Sequence, residues 1–137
     1  MSQRSLLVKP GSNNGIYHSL TAQQAGWEHL NFEARTLKLN ESFTQFTGEN
    51  EYCIVLLGGN FKVSADKGEW ETVNGRKDVF SGIAHTLYLP RRTNFTLTAT
   101  KAGTDIAICW VATDEDHPAY LKQPEEAAIE FRGGDNA

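Results

Sequence analysis

The chemistry-bearing residues are scattered. The four histidines, His18, His29, His85 and His117, form no i, i+2 or i, i+4 pair. Metal sites on one strand or helix are commonly built from such pairs. His117 precedes Pro118 in an acidic stretch and reads as a surface residue. His85 lies between two apolar segments. It reads as a hydrogen-bonded histidine at a strand start, with contact to a ligand inside the fold as the functional alternative. Glu49 and Glu51 are two apart and would share a face of one strand, but solvation in a turn is the plainer reading. Asp114-Glu115-Asp116 reads as a solvated acidic loop, and Cys53 and Cys109 as small hydrophobes inside core strands. The sequence holds no Gly-x-Ser-x-Gly elbow, Walker loop, Cys-x-x-Cys or His-Glu-x-x-His. One carboxylate keeps a defined context. Glu51 stands at the mouth of an apolar run and seven residues before Gly58.

That run, Tyr52 to Leu57, is too short for a typical helix and rich in β-favouring residues, so it predicts a strand buried on both faces. Gly58-Gly59-Asn60 supplies residues that tolerate positive φ, so a tight hairpin turn into Phe61, Val63 and Ala65 is expected. The remaining chain follows the same pattern. Short strands are predicted over 5–8, 16–18, 30–39, 42–47, 69–73, 79–80, 86–89, 95–99 and 105–111, with a last one at 129–131. Thr21 and Gly26 bracket one helical turn as N-cap and stop, and Pro124 to Ala128 suits another. Trp70 and Trp110 read as core or sheet-face residues, and Trp27 as a cap on the barrel end. Some ten strands with almost no helical periodicity predict an all-β fold, a jelly-roll barrel of two sheets. An immunoglobulin-like sandwich lacks its Cys…Trp…Cys spacing.

The chain has 137 residues, enough for one domain with a proper core. A net charge of -4 and no basic cluster argue against a nucleic-acid or anionic-membrane surface. No apolar run approaches the roughly 20 residues that span a bilayer, and the first residues lack a signal-peptide core, so a cytoplasmic location is expected.

The strand framework resembles the cupin family, whose double-stranded β-helix carries two loose motifs. Glu51 and Gly58 match the end of the first. Its two histidine positions fall on Gln45 and Thr47, and its leading glycine on Leu39. In the second motif Pro90 fits, the glycine becomes Arg92 and the histidine becomes Phe95. Of four metal ligands only Glu51 is left. One carboxylate beside an amide, a hydroxyl and a phenyl ring does not hold Zn²⁺, Fe²⁺ or Mn²⁺ tightly. The expected ligand pocket is therefore Gln45, Thr47, Glu51, Phe95 and His85, with no catalytic residue and no metal assigned.

The sequence as a whole is similar to the first half of the 5-deoxyglucuronate isomerase family of inositol catabolism. The similarity rests on the opening Ser-Leu-Leu-Val-Lys-Pro, on Ala25-Gly26-Trp27 ahead of Phe32-Glu33, and on Glu51 to Gly59. It continues through Asp78-Val79-Phe80-Ser81-Gly82, Tyr88-Leu89-Pro90 and Glu130-Phe131-Arg132-Gly133. It implies that residues 1–137 form a single cupin, the N-terminal half of a bicupin, with a linker-like end from about 132. It implies a divalent metal in the second cupin and none in this chain. The implied reaction is an aldose–ketose isomerisation of a deoxy sugar acid, which needs a base and a Lewis acid. Lacking the metal ligands, this half is expected to be inactive alone. The expected partners are a sugar-acid ligand and a second cupin half, or a second copy in a homodimer. A non-catalytic binding or dimerising cupin is the alternative.

Overall fold

The computed structural model describes residues 7–130 and 132–133. Ten strands appear in chain order: β1 (Ile16–Leu20), β2 (Asn31–Leu37), β3 (Ser42–Phe46), β4 (Asn50–Gly58), β5 (Phe61–Ala65), β6 (Gly68–Glu71), β7 (Thr86–Leu89), β8 (Asn94–Ala99), β9 (Thr104–Ala112) and β10 (Tyr120–Lys122). One short helix, α1 (Ala22–Ala25), follows β1. The strands form two antiparallel sheets. One has six strands in the order β1-β2-β9-β4-β7-β10, the other four in the order β3-β8-β5-β6.

Alternation along each strand explains why the sheets face one another. In β4, Tyr52, Ile54 and Leu56 point inward; in β7, Leu87 and Leu89; in β9, Ile106 and Ile108. The smaller sheet answers with Phe61, Val63, Phe95, Leu97 and Ala99. These residues form one buried cluster. Each fully buried large side chain contributes about 1.5–3 kcal/mol of transfer free energy.

The expected turn of helix forms where its caps lie. The Thr21 hydroxyl accepts from the Gln24 amide at 3.1 Å, and the Gln24 side chain accepts from the Thr21 amide at 3.0 Å. Gly26 closes it at φ 73°. Trp27 does not cap the core: it is exposed on the surface.

The Gly58-Gly59-Asn60 turn is not a hairpin. β4 belongs to the six-stranded sheet and β5 to the four-stranded one, so the chain crosses between layers there. The true hairpin is the next one, β5–β6, closed at Asp66-Lys67. Nor is β4 buried on both faces. Cys53, Val55 and Leu57 alternate with the core residues and stay half-exposed on the outside of the sheet. Cys53 and Cys109 are thus outer-face residues.

Val79-Phe80 is not a strand either. Asp78 accepts from the Phe80 amide and the Ser81 hydroxyl, both at 2.9 Å, which bends the chain and leaves Phe80 exposed. Of the strand expected over 5–8, residues 7 and 8 are irregular and the rest lie outside the described residues. Residues 129 and 130 are likewise irregular. Phe131 and 134–137 lie outside the described residues. Pro124–Glu126 makes a single 3-10 turn.

Candidate functional site

The inner face of the six-stranded sheet is mostly apolar, and β2 is where it departs from that. There Glu33 pairs in register with Ile108 and Arg35 with Ile106, so both charged residues share the inward face. Arg35 donates from Nε to Oε2 of Glu33 at 3.1 Å, and its Nη2 forms an ion pair with the same oxygen at 3.0 Å. The guanidinium lies 3.9 Å over the Phe43 ring. The two side chains are only 15% and 14% exposed.

Across from them stands Gln45 on β3, directly opposite Phe95. Its amide donates to the Tyr52 hydroxyl at 2.7 Å. Tyr52 stacks on Trp110 at 5.6 Å and 17°, and meets Phe95 edge-on at 6.0 Å. Phe95 in turn meets Phe43 at 6.0 Å. Ring contacts thus join Arg35, Phe43, Phe95, Tyr52 and Trp110 into one cluster. Burial pushes the Tyr52 phenol up and the Glu33 charge adds to this, against the Gln45 hydrogen bond, so the phenol stays protonated.

Two of the five expected pocket residues, Gln45 and Phe95, meet in this cluster. The other three do not. Glu51 is opposite Val111 and points to the outer face, where it accepts from the Tyr88 hydroxyl at 2.8 Å. Burial and the Glu51 carboxylate push that phenol up to about 12. A shallow groove of about 210 Å³ runs beside the pair, lined by Cys53 and Cys109, which face each other across β4 and β9. Thr47 is consumed by structure. Its hydroxyl donates to the Pro90 carbonyl at 3.0 Å and accepts from the Thr93 amide at 2.9 Å, tying β3 to the start of β8. His85 is fully buried but precedes β7 at the end where Leu56 pairs, while Tyr52 pairs with Leu89 at the far end of that strand. Glu33, Arg35, Tyr52 and Trp110 join this cluster, and motif reasoning passes over them. Two charges in Phe32-Glu33-Ala34-Arg35, spaced by two inside a strand, are the signal that finds Glu33 and Arg35.

The KduI/IolB family model matches residues 6–137. This chain belongs to the KduI/IolB family. Among curated KduI/IolB-like relatives, 5-deoxy-glucuronate isomerase of Geobacillus kaustophilus (strain HTA426) is 30% identical over 118 residues, covering 85% of this chain and 42% of the relative. The Bacillus subtilis (strain 168) protein of the same name is 27% identical over 134 residues, covering 93% of this chain and 49% of the relative. A solved IolB-like protein from Salmonella typhimurium LT2 superposes with a TM-score of 0.88 at 31% identity, over 96% of this chain and 50% of that one. The chain spans about half the length of the curated relatives it matches. A mutant of Bacillus subtilis oxalate decarboxylase OxdC (TM-score 0.57, 15% identity, 78% of this chain and 28% of that one) shares only the fold, as does the Schizosaccharomyces pombe Cnp3 cupin domain (TM-score 0.54, 11%, 70% and 63%). The double sheet is a cupin-type β fold.

Cupins commonly hold a divalent metal at the two motifs, and the residues at those positions here do not fit one. The carboxylate faces away, the hydroxyl is committed to backbone, Phe95 has no donor atom, and Gln45 supplies a neutral amide. No other cluster of three His, Cys, Asp or Glu residues suited to a metal occurs among the described residues. The second motif leaves one geometric trace. Arg92 takes its glycine slot with φ 60°, held by its amide on the Gly48 carbonyl at 2.7 Å and its guanidinium on Glu49 at 3.0 Å. Among the described residues no helix is long and apolar enough to cross a membrane.

Proposed function

We propose that this chain is the non-metal N-terminal cupin of a 5-deoxyglucuronate isomerase-type protein. Residues 1–137 make one cupin, with a linker from about 132, and work in the cytoplasm beside a second cupin that carries the divalent metal. The chain alone is then catalytically inactive. The observation that supports this reading is the fate of the four motif positions: an amide, a committed hydroxyl, an outward carboxylate and a phenyl ring. Moving a proton between adjacent carbons needs a base beside a carbonyl held by a Lewis acid. The named positions supply neither. The half-length match to relatives named as isomerases supports the same division of labour.

Metal analysis and an isomerase assay on the purified chain test the proposal. Less than a tenth of an equivalent of tightly bound metal, to order of magnitude, and no turnover are expected. Stoichiometric metal together with turnover would sink it.

A second reading, a non-catalytic binding module, is favoured by one observation. The Glu33–Arg35 pair, Gln45 and Tyr52 place hydrogen-bonding groups on the inward faces of the two sheets.

A further inference from the structure

We infer that Cys53 and Cys109 form a paired oxidation site, at which a low-molecular-weight disulfide closes a reversible bond between β4 and β9. The inference is independent of the division of labour proposed above.

Register brings together two residues that lie far apart in sequence. Cys53 and Cys109 are directly opposed across β4 and β9, and Phe32 and Tyr88 extend the same row on either side. Both cysteines are free and half-exposed, and both line the groove of about 210 Å³. Packing in the core does not account for them, since alternation turns both away from the core cluster. No third His, Cys, Asp or Glu joins them in a metal-binding group among the described residues. Thiol–disulfide exchange is the chemistry that two opposed thiols can do by themselves.

The ladder decides what kind of pair they are. The Thr113 amide donates to the Glu49 carbonyl at 3.0 Å, which marks Glu49 and Thr113 as a hydrogen-bonded pair. Such pairs recur at every second residue. Cys53 and Cys109 lie four residues along the same register and are therefore of the same kind. The Leu56 amide donates to the His85 carbonyl on the β7 side at 3.1 Å and gives the same phase from the other edge of β4. In a hydrogen-bonded pair the Cα atoms are about 5.5 Å apart. That lies within the roughly 4.4–6.8 Å that disulfides span. The Cβ atoms, about 5–5.5 Å apart, must approach by on the order of 1 Å. A bond closed in this way is more easily reduced than a relaxed structural one. It forms under an oxidant and is undone by thiol, unlike a permanent staple.

The exchange runs in two steps. The thiolate of one cysteine attacks a sulfur of the small disulfide and expels one thiol, which leaves a mixed disulfide on the protein. The second cysteine, as thiolate, attacks the protein sulfur of that mixed disulfide and expels the other thiol. Two electrons pass from the cysteine pair to the small disulfide, and the two cysteine protons end on the two released thiols. Burial pushes both cysteine thiols up, and for Cys53 the neighbouring Cys109 adds to this. The pair therefore rests as thiols at neutral pH, and the first attack is slow.

Intact-mass measurement and thiol titration on the reduced, purified chain with oxidised glutathione test the inference. The chain is kept at about 5 µM to hold copies apart, at about pH 8.5 to supply thiolate. Oxidised glutathione is set at about 20 mM, above the millimolar effective concentration of a flexible chain. The folded chain is expected to end lighter by two hydrogens, with one cross-linked peptide pair holding Cys53 and Cys109. Dithiothreitol should restore both thiols. Cys53→Ser and Cys109→Ser should each stop one glutathione heavier, whereas in the wild type that adduct stays below about a tenth of the chain. In urea that unfolds the chain, doubly glutathionylated protein should replace most of the closed form, because only the fold holds the two thiols opposite each other. Circular dichroism checks each variant, and alanine replaces a serine that unfolds the chain. Thiols that stay free, stable glutathione adducts on the folded wild type, closure that persists equally in urea, or a disulfide linking two chains would each overturn the inference. Turnover by the chain would defeat the inactive-half reading and leave this result standing.

Discussion

An imidazole buried with one nitrogen unsatisfied makes stability depend on pH. His85 is 2% exposed, and its Nδ1 has no hydrogen-bond partner among the described residues. Burial holds its pKa below the ordinary 6.5; the Glu125 carboxylate and the Gln123 side chain oppose this without cancelling it. The unfolded chain therefore takes up this proton at a higher pH than the folded one. The stabilising contribution is complete above 6.5 and is lost as pH falls from there through the lower folded value. Denaturant unfolding between about pH 7.5 and pH 5.5 should show stability falling at up to about 1.4 kcal/mol per pH unit, the limit for one proton. In His85→Leu that slope should flatten. An unchanged slope would show that other groups carry it. The residue scale is also where the sequence is least legible. His85 and Phe95 are legible as inward residues because they interrupt or extend apolar alternation. Motif spacing turns Glu51 inward, yet the strand's own alternation, with Tyr52 in the core, sends it out. Arg35 and Glu33 are hidden because a charge inside a strand is ordinarily taken as its solvent face.

At the scale of elements, the crossing between sheets depends on one close approach. Gly59 has φ 86°, and a Cβ there would lie 2.7 Å from the Thr104 Cα and 2.4 Å from its hydroxyl. That threonine holds the corner by sharing its one hydroxyl hydrogen between the Lys101 carbonyl at 2.7 Å and the Asn60 carbonyl at 3.0 Å. Gly59→Ala must therefore both strain the backbone and push β9 away, at a cost of about 2–4 kcal/mol. Gly103 is the control. Its φ is 69°, but a Cβ there would meet nothing within 4 Å, so Gly103→Ala should cost only about 1 kcal/mol. Equal losses in urea melts would refute the steric part of the argument. The same corner shows what local sequence leaves open. Gly58-Gly59-Asn60 marks a turn correctly, but a turn does not say whether the next strand pairs with the last one or leaves for another sheet. That choice is made by distant partners, Leu97 for Val63 and Ile108 for Ile54. β10 escapes local reading for the same reason. Tyr120–Lys122 is a three-residue strand that exists only through pairing with β7.

The two sheets differ at the scale of the molecule, and the difference has a consequence for association. The outer face of the four-stranded sheet is polar, with Thr44, Lys62, Ser64, Glu69, Thr96 and Thr98. This is the usual division of an antiparallel sheet with one face in water. The outer face of the six-stranded sheet breaks that rule. Cys53, Val55 and Leu57 on β4 and Cys109 and Val111 on β9 stay half-exposed there. This second apolar face is why β4 reads as doubly buried in sequence: the residues fit a covered strand, and the described residues leave it half-exposed. Contiguous exposed apolar surface of this kind marks association. In the proposed bicupin the companion half would take the face; for this chain in isolation we propose a second copy as the occupant. Sedimentation velocity at about 100 µM should then show a species near twice the 15.2 kDa chain mass, dissociating on dilution. Val55→Asp places a charge at the centre of the face and should leave a folded monomer, since the position already touches solvent. A wild-type chain that stays monomeric across the concentration range would remove the second copy as occupant, whereas a dimer untouched by Val55→Asp would move the interface to another surface.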